Sequence, residues 1–181
     1  MKYSMLSVAA FVASSLASPA FWDESIKPGP ISITNNLNQA VRLKRAGPKS
    51  IDFDEFEVEQ PGQIIPQGRT ITISSPPPIQ DLKLSVLHSR RNQVEVAYVS
   101  HGQSFNYAIK RIEEDRFPGV VNVQPQPQSQ QCRRLTLFPH GPEPRPVTCR
   151  AGTKLHVTLC QQGHPHCPPP PPHAEDEIEW L

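Results

Sequence analysis

Proline occurs throughout this chain and accounts for 22 of its 181 residues. Its ring fixes φ and removes the main-chain donor, so a proline inside a helix breaks a hydrogen bond and clashes with the preceding turn. At about 12 % of the composition, against an average near 5 %, proline excludes long helices. The proline content therefore restricts the fold to short extended segments that are joined by turns.

Between the prolines and glycines, short segments alternate apolar and polar residues with a period of two. This alternation, with many β-branched residues, is typical of strands that bury one face. It predicts an all-β fold in which antiparallel sheets pack on each other as a sandwich. The segments are residues 31–34, 40–44, 52–59, 70–74, 82–86, 94–99, 105–109, 121–123, 135–137 and 155–159.

The first 17 residues have the three-part pattern of a cleaved signal peptide. Lys2 precedes an apolar run from Met5 to Leu16, and small residues follow it. The run is shorter than the roughly 20 residues that a membrane-spanning helix needs. We therefore predict a secreted, extracellular protein with a signal peptide at 1–17, a leader at 18–30, a β-sandwich domain at 31–167 and a flexible, proline-rich acidic tail at 168–181.

All four cysteines lie in the last third of the chain, at Cys132, Cys149, Cys160 and Cys167. An even number of cysteines in a secreted chain indicates two disulfides rather than a metal site, because oxidised sulfurs cannot bind a metal as thiolates. The sequence leaves all three pairings open. We therefore predict two disulfides in the C-terminal third, no metal site and no cofactor.

Charge gives no reason to expect a nucleic-acid or membrane partner. The 18 lysines and arginines and the 17 aspartates and glutamates leave a formal net charge of +1, whereas such partners require a basic excess on one face.

The chain also lacks the Gly-x-Ser-x-Gly motif of a hydrolase nucleophile, and we predict no catalytic residue. An acidic cluster in a predicted loop, Glu113, Glu114 and Asp115, provides candidate contacts to a partner protein or glycan.

Several short motifs follow one another between residues 31 and 160. The opening strand ends in Asn35-Asn36, an Ile65-Pro66-Gln67-Gly68 turn precedes another strand, and Phe117-Pro118-Gly119 ends a loop. Cys149-Arg150-Ala151-Gly152 then leads into a strand that ends at Cys160. In this order the motifs resemble the secreted fungal family of antigenic thaumatin-like proteins, the Blastomyces yeast-phase-specific family. The chain departs from that family at Leu37, where many relatives have a cysteine, and at Ala108, where aspartate is usual.

The resemblance implies a thaumatin-like β-sandwich, secretion and no enzyme activity. We therefore predict a non-enzymatic secreted fungal protein, effector-like or associated with the cell wall, which binds a host protein or a glycan through its loops as a monomer. A rigid sandwich suits this role because it holds loops in fixed positions. The alternative is a glycan hydrolase, whose paired carboxylates, such as Glu113 and Asp115, would have to lie about 5–10 Å apart across a cleft.

Overall fold

The computed structural model describes residues 29–46, 62–77, 79–87, 92–112 and 117–163, together with residues 165 and 167. Eleven strands and no helix occur within these segments, which confirms the predicted all-β class. The strands are β1 Ile31–Asn36, β2 Val41–Ala46, β3 Gln63–Ile65, β4 Arg69–Ile73, β5 Ile79–Val86, β6 Gln93–His101, β7 Ser104–Arg111, β8 Val120–Gln126, β9 Leu135–Leu137, β10 Val147–Arg150 and β11 Lys154–Cys160.

The strands form two sheets that share one core. Sheet A has five strands in the order β4-β1-β11-β8-β9, and sheet B has six in the order β10-β7-β6-β5-β2-β3. Neighbouring strands are antiparallel except β1 and β11, which run parallel from the Ile31–Leu155 pair to the Asn36–Cys160 pair. The parallel pair brings the first and last described strands of the domain together in the middle of sheet A.

The core lies between the sheets and is filled by the alternating apolar side chains. In β1, Ile31 and Ile33 are fully buried, whereas Ser32 and Thr34 face outward and are half-buried. Buried apolar residues of both sheets belong to one continuous cluster. Removing this apolar surface from water is the main stabilising contribution to the sandwich.

Two strands, β3 and β10, were not predicted from the sequence. β3 has three residues and β10 has four. In addition, β8 continues through Pro125 to Gln126, into a stretch in which glutamine and proline alternate. Pro125 is buried and lies opposite Leu155, one residue before the strand ends, and near a strand end the missing donor affects few ladder bonds.

Several predicted segments lie outside the described residues. These are the signal peptide, the leader as far as residue 28, the strand at 52–59 and the tail after Cys167. Their boundaries stay predictions. Among the described residues, no helix is long and apolar enough to cross a membrane.

The four cysteines form two disulfides, as predicted, and the structure selects one of the three possible pairings. Cys132 pairs with Cys149, and Cys160 pairs with Cys167. The first disulfide connects the segment after β8 to β10, the edge strand of sheet B. The second closes a short loop directly after β11. No described cysteine is free to act as a thiolate ligand or nucleophile.

Candidate functional site

A groove of about 730 Å³ runs beside β10. Its volume lies within the range of about 300–1,000 Å³ that is usual for ligand sites. One wall is β10 with the turn that follows it, and the other is the loop that leads to Cys132. The lining residues are Ser104, Pro127, Ser129, Gln130, Gln131, Cys132, Thr148, Cys149, Arg150, Ala151, Gly152 and Thr153.

The Cys132–Cys149 disulfide joins the two walls of this groove. Its Cα atoms are 4.7 Å apart, and both half-cystines are buried. In the loop wall, Cys132 N donates to Ser129 Oγ at 3.0 Å, and Ser129 N donates to Cys132 O at 3.0 Å. A covalent bond and a closed turn therefore hold the walls at a fixed separation.

Tyr107 anchors the loop wall to the core. Its ring lies beside that of Phe105, with 6.4 Å between the ring centroids. Its hydroxyl donates to the main-chain oxygen of Arg133, the residue that follows Cys132. Burial raises the pKa of the Tyr107 hydroxyl, so the group stays protonated and keeps its role as a donor.

β10 has one open edge, and its hydrogen-bond register shows which main-chain groups face it. The strand pairs with β7 on one side. Beyond the strand, Ala151 N donates to Gln103 O at 3.1 Å, which extends the β7 register by one pair. Because bonded pairs alternate in an antiparallel ladder, Val147 and Cys149 bond to β7. The main-chain groups of Thr148 and Arg150 therefore point away from β7, toward the groove.

Four exposed arginines lie close to the disulfide. Arg133 and Arg134 follow Cys132, Arg150 follows Cys149, and Arg145 lies two residues before β10. Since successive Cα atoms are about 3.8 Å apart, the disulfide holds the Cα atoms of Arg133 and Arg150 within about 12 Å of each other. Of the four, Arg150 lines the groove and brings a positive charge to its wall.

Acidic residues are rare in the described part of the chain that contains these arginines. Residues 117–163 contain one acid, Glu143. Its Oε1 accepts a hydrogen bond from Arg111 N at 2.7 Å. The Arg111 guanidinium, in turn, donates to the main-chain oxygens of Phe138 and Gly141. Glu143 and Arg111 thus hold the segment between β9 and β10 in place.

Glu113, Glu114 and Asp115 lie outside the described residues, so their role stays a prediction. Among the residues that the structure describes, no three His, Cys, Asp or Glu side chains gather into a group able to hold a metal ion.

Two further acids, Asp81 and Glu95, lie on the outer face of sheet B. Glu95 is opposite Lys83 and Lys110 in the register of the sheet. Burial raises the pKa of Glu95 and the charge of Asp81 raises it further, whereas Lys110 and Lys83 lower it. These acids belong to a charged row on a flat face, away from the groove.

The residues of the groove were missed by reasoning from the sequence. A signal was present, because arginines directly follow both Cys132 and Cys149. That signal has meaning only once these two cysteines are known to pair, and the sequence left the pairing open. The open edge of β10 depends equally on a strand that was not predicted from the sequence.

No family model matches the sequence, and no curated protein matches it. Solved structures nevertheless share the fold. The protein elicitor MoHrip2 from Magnaporthe oryzae has a TM-score of 0.54 at 14% identity, covering 73% of this chain and 98% of its own. The thaumatin-like xylanase inhibitor TLXI has a TM-score of 0.50 at 16% identity, covering 73% of this chain and 99% of its own. The predicted thaumatin-like fold is confirmed.

Proposed function

We propose that this protein is a secreted, non-enzymatic binding protein that recognises an extracellular partner protein through the groove beside β10. The observation that carries the proposal is the construction of the groove. Its walls are joined by the buried Cys132–Cys149 disulfide, and one wall carries the exposed Arg150. Fixed walls reduce the entropy that is lost when a partner binds.

The named roles of the two structural neighbours are compatible with this proposal. One is called a protein elicitor and the other a xylanase inhibitor. We propose that this sandwich likewise acts by binding another protein. A host protein is therefore our first candidate partner, and an effector-like role outside the cell is the corresponding biological setting.

We also propose membership of the fungal antigenic thaumatin-like family, on the motifs quoted above. Two motif residues have clear structural roles. Asn35 is fully buried and bonds to three main-chain groups. A Cβ on Gly119 would lie 2.5 Å from Leu37 Cδ2 and 2.8 Å from Cys160 O, so this position excludes larger residues. Residues of this kind preserve a fold, which is why their order along the chain supports the family assignment.

Glycan hydrolysis is not supported at this groove. Glycoside hydrolases of the usual kind need two carboxyl groups, one on either side of the scissile bond. None of the residues that line the described groove is an aspartate or a glutamate. Binding to a cell-wall glycan stays open as a second role for the loop at 113–115.

The proposal is tested by photo-crosslinking with the full chain. A benzophenone amino acid replaces Gln130 in the groove, and in a matched control it replaces Gln67, an exposed glutamine at the opposite edge of sheet B. After exposure to host extracellular fluid, we expect protein adducts at position 130 that excess unlabelled protein suppresses, and none at position 67. Purified protein should release no reducing sugar from glucan, xylan or chitin.

Equal adduct yields at the two positions, or adducts that unlabelled protein does not suppress, would contradict recognition through the groove. Sugar release that scales with the amount of purified protein would contradict the non-enzymatic assignment. Retention on insoluble glucan or chitin without groove adducts would identify a wall-binding protein instead.

A further inference from the structure

We propose that the groove binds an extended acidic peptide segment of the partner, which pairs with β10 as an added strand. This inference depends on the proposed binding function and specifies the chemistry of its ligand. It combines three properties of the groove: open main-chain groups, positive charge and a neutral polar wall.

The first property is the open ladder of β10. The register places the N–H and C=O of Thr148 and the N–H of Arg150 on the open side. Arg150 O accepts from Thr153 N at 3.2 Å within the turn, so the ladder ends there. An extended peptide can therefore form three main-chain hydrogen bonds, and such bonds are the usual source of affinity when a strand is added to a sheet edge.

The second property is charge, which selects the peptide. The side chains of Thr148 and Arg150 lie two residues apart on the outer face of sheet B. Ligand residues on the same face become their cross-strand neighbours, and a carboxylate opposite an arginine is favourable there. Since side chains alternate along a strand, acids at every second position of the ligand all meet this positive face.

Charge also explains why a second copy of this chain is not the ligand. Pairing of two β10 edges would bring the two Arg150 side chains and their neighbouring arginines together. Like charges opposite each other destabilise a sheet, and charged edge strands are a common protection against edge-to-edge association. The same arginines that repel a second β10 favour an acidic strand.

The third property is the neutral loop wall. Ser129, Gln130 and Gln131 line it, and their hydroxyl and amide groups can both donate and accept hydrogen bonds. These exposed side chains can satisfy the second edge of the ligand main chain. They do so without a demand for particular ligand side chains, so acid content and extended conformation are the main determinants of binding.

The test uses three five-residue peptides with blocked ends and the full-length protein. The acidic peptide is Thr-Glu-Thr-Glu-Thr, and the charge-reversed peptide is Thr-Lys-Thr-Lys-Thr. The third peptide, Glu-Thr-Pro-Thr-Glu, keeps two acids on one face but has proline at a position whose N–H would face β10 in antiparallel pairing. We expect the acidic peptide to shift the amide resonances of Thr148 and Arg150 and to bind about tenfold more tightly than the lysine peptide. The proline peptide should bind about fivefold more weakly than the acidic peptide.

Two variants test the same contacts from the protein side. Thr148→Pro removes a main-chain donor that faces the groove. The main-chain bonds of β10 to β7 remain, because Val147 and Cys149 form them, and the variant otherwise loses the bond from Thr148 Oγ1 to Asn106 Oδ1. Arg150→Glu reverses the charge. Both should weaken the acidic peptide at least fivefold, whereas Arg42→Glu, an exposed arginine on the same outer face, should not. If Thr148→Pro fails to fold, the proline peptide provides the same test.

Equal affinities of the acidic and proline peptides, or shifts confined to another edge strand, would overturn strand addition. Preferential binding of a sulfated polysaccharide would overturn the choice of a peptide. Hydrogen exchange of the main-chain N–H groups of Thr148 and Arg150 tests whether the chain's own acidic segment is the ligand. Slow exchange in the free protein that becomes fast in a variant with Gln or Asn at 175, 176, 177 and 179 would show that it is. If crosslinks at position 130 are retained, any of these results overturns the acidic-peptide proposal alone. If the crosslinks are lost, the proposed function is overturned as well.

Discussion

The two edges of sheet B end in opposite ways. At the β3 edge, Ile65 is fully buried, and its main-chain oxygen accepts from Asn35 Nδ2 at 2.9 Å. At the β10 edge, the main-chain groups of Thr148 and Arg150 face an open groove. At the first edge a buried amide satisfies the Ile65 oxygen, and at the second the main-chain groups are accessible beside the exposed Arg150. We infer that the first edge stabilises the fold and that the second is available for function.

Asn35 links the end of β3 to sheet A, because its side chain satisfies several main-chain groups at once. Its Nδ2 donates to Gln39 O and Ile65 O, and its Oδ1 accepts from Leu37 N. Its own main-chain oxygen accepts from Gly68 N at 2.6 Å. The amide therefore connects sheet A to the turn that leads out of β3, and it leaves no unpaired polar group of its own.

The largest expected effect on stability follows from removing the Asn35 side chain. Asn35→Ala leaves the main-chain groups of Leu37, Gln39 and Ile65 without their partner. Since a buried unsatisfied group costs about 1–3 kcal/mol, we expect the free energy of unfolding to fall by about 3 kcal/mol. Urea unfolding measures the change. Exposed Asn38→Ala should stay within about 0.5 kcal/mol, and peptide binding at the groove should be preserved in both. A loss below about 1 kcal/mol in Asn35→Ala would contradict this account.

The second prediction compares the disulfides. The cysteines of the Cys132–Cys149 disulfide are 17 residues apart, and those of the Cys160–Cys167 disulfide are 7 apart. Because a longer closed loop restricts the unfolded chain more, loss of the first should lower the free energy of unfolding by about 3 kcal/mol and loss of the second by about 2 kcal/mol. Replacing Cys132 and Cys149 by serine should also abolish peptide binding, because the groove walls separate. Replacing Cys160 and Cys167 should leave binding unchanged. Calorimetric titration of both double variants checks this; equal binding in the two would show that the disulfide does not shape the groove.

A smaller effect is expected from the link between core and groove. Tyr107→Phe leaves Arg133 O unpaired and should lower the free energy of unfolding by about 1 kcal/mol. Tyr98→Phe is the matched control, because the Tyr98 hydroxyl contacts Gln80 Oε1 at 3.4 Å, away from the groove. Both variants lose a buried hydroxyl, but only Tyr107→Phe should weaken peptide binding. Similar affinities of the two variants for the acidic peptide would show that the Tyr107 hydroxyl does not hold the loop wall of the groove.

The smallest effect concerns Glu95, in the middle of the sheet between the two edges. Burial raises its pKa above 4.5. A carboxyl whose pKa is higher in the folded state favours folding while protonated, so its contribution declines as the pH rises from about 4.5 through the folded pKa. Glu95→Gln should therefore raise Tm by less than about 2 °C at pH 7 and leave it unchanged at pH 3. A lower Tm at pH 7 would mean that the ion pairs with Lys83 and Lys110 dominate.

The sequence predicts features that depend on local pattern. The alternation of Ile31 and Ile33 with Ser32 and Thr34 was sufficient to predict β1, because side chains alternate between faces in any strand. Motif order was sufficient for the thaumatin-like fold, which the structural neighbours confirm.

Features that depend on contacts between distant residues could not be predicted in this way. The pairing of Cys132 with Cys149 is a property of the folded chain, and so is the register that points Thr148 and Arg150 outward. The acidic residues at 113–115 stay a prediction, because they lie outside the described residues. The open edge of β10 follows from its pairing with β7, which no local pattern specifies.

The parallel pairing of β1 with β11 determines how the molecule can be attached to something else. Gly29 N donates to Thr153 O at 2.9 Å, so the polypeptide enters the domain at the rim of the groove. It leaves after Cys160, about 20 Å away at the other end of β11. A bulky group attached at Gly29 would therefore lie beside the groove and hinder access. A group attached near Cys160 would lie at the far end of β11, which is the arrangement to choose for biosensor chips and affinity columns.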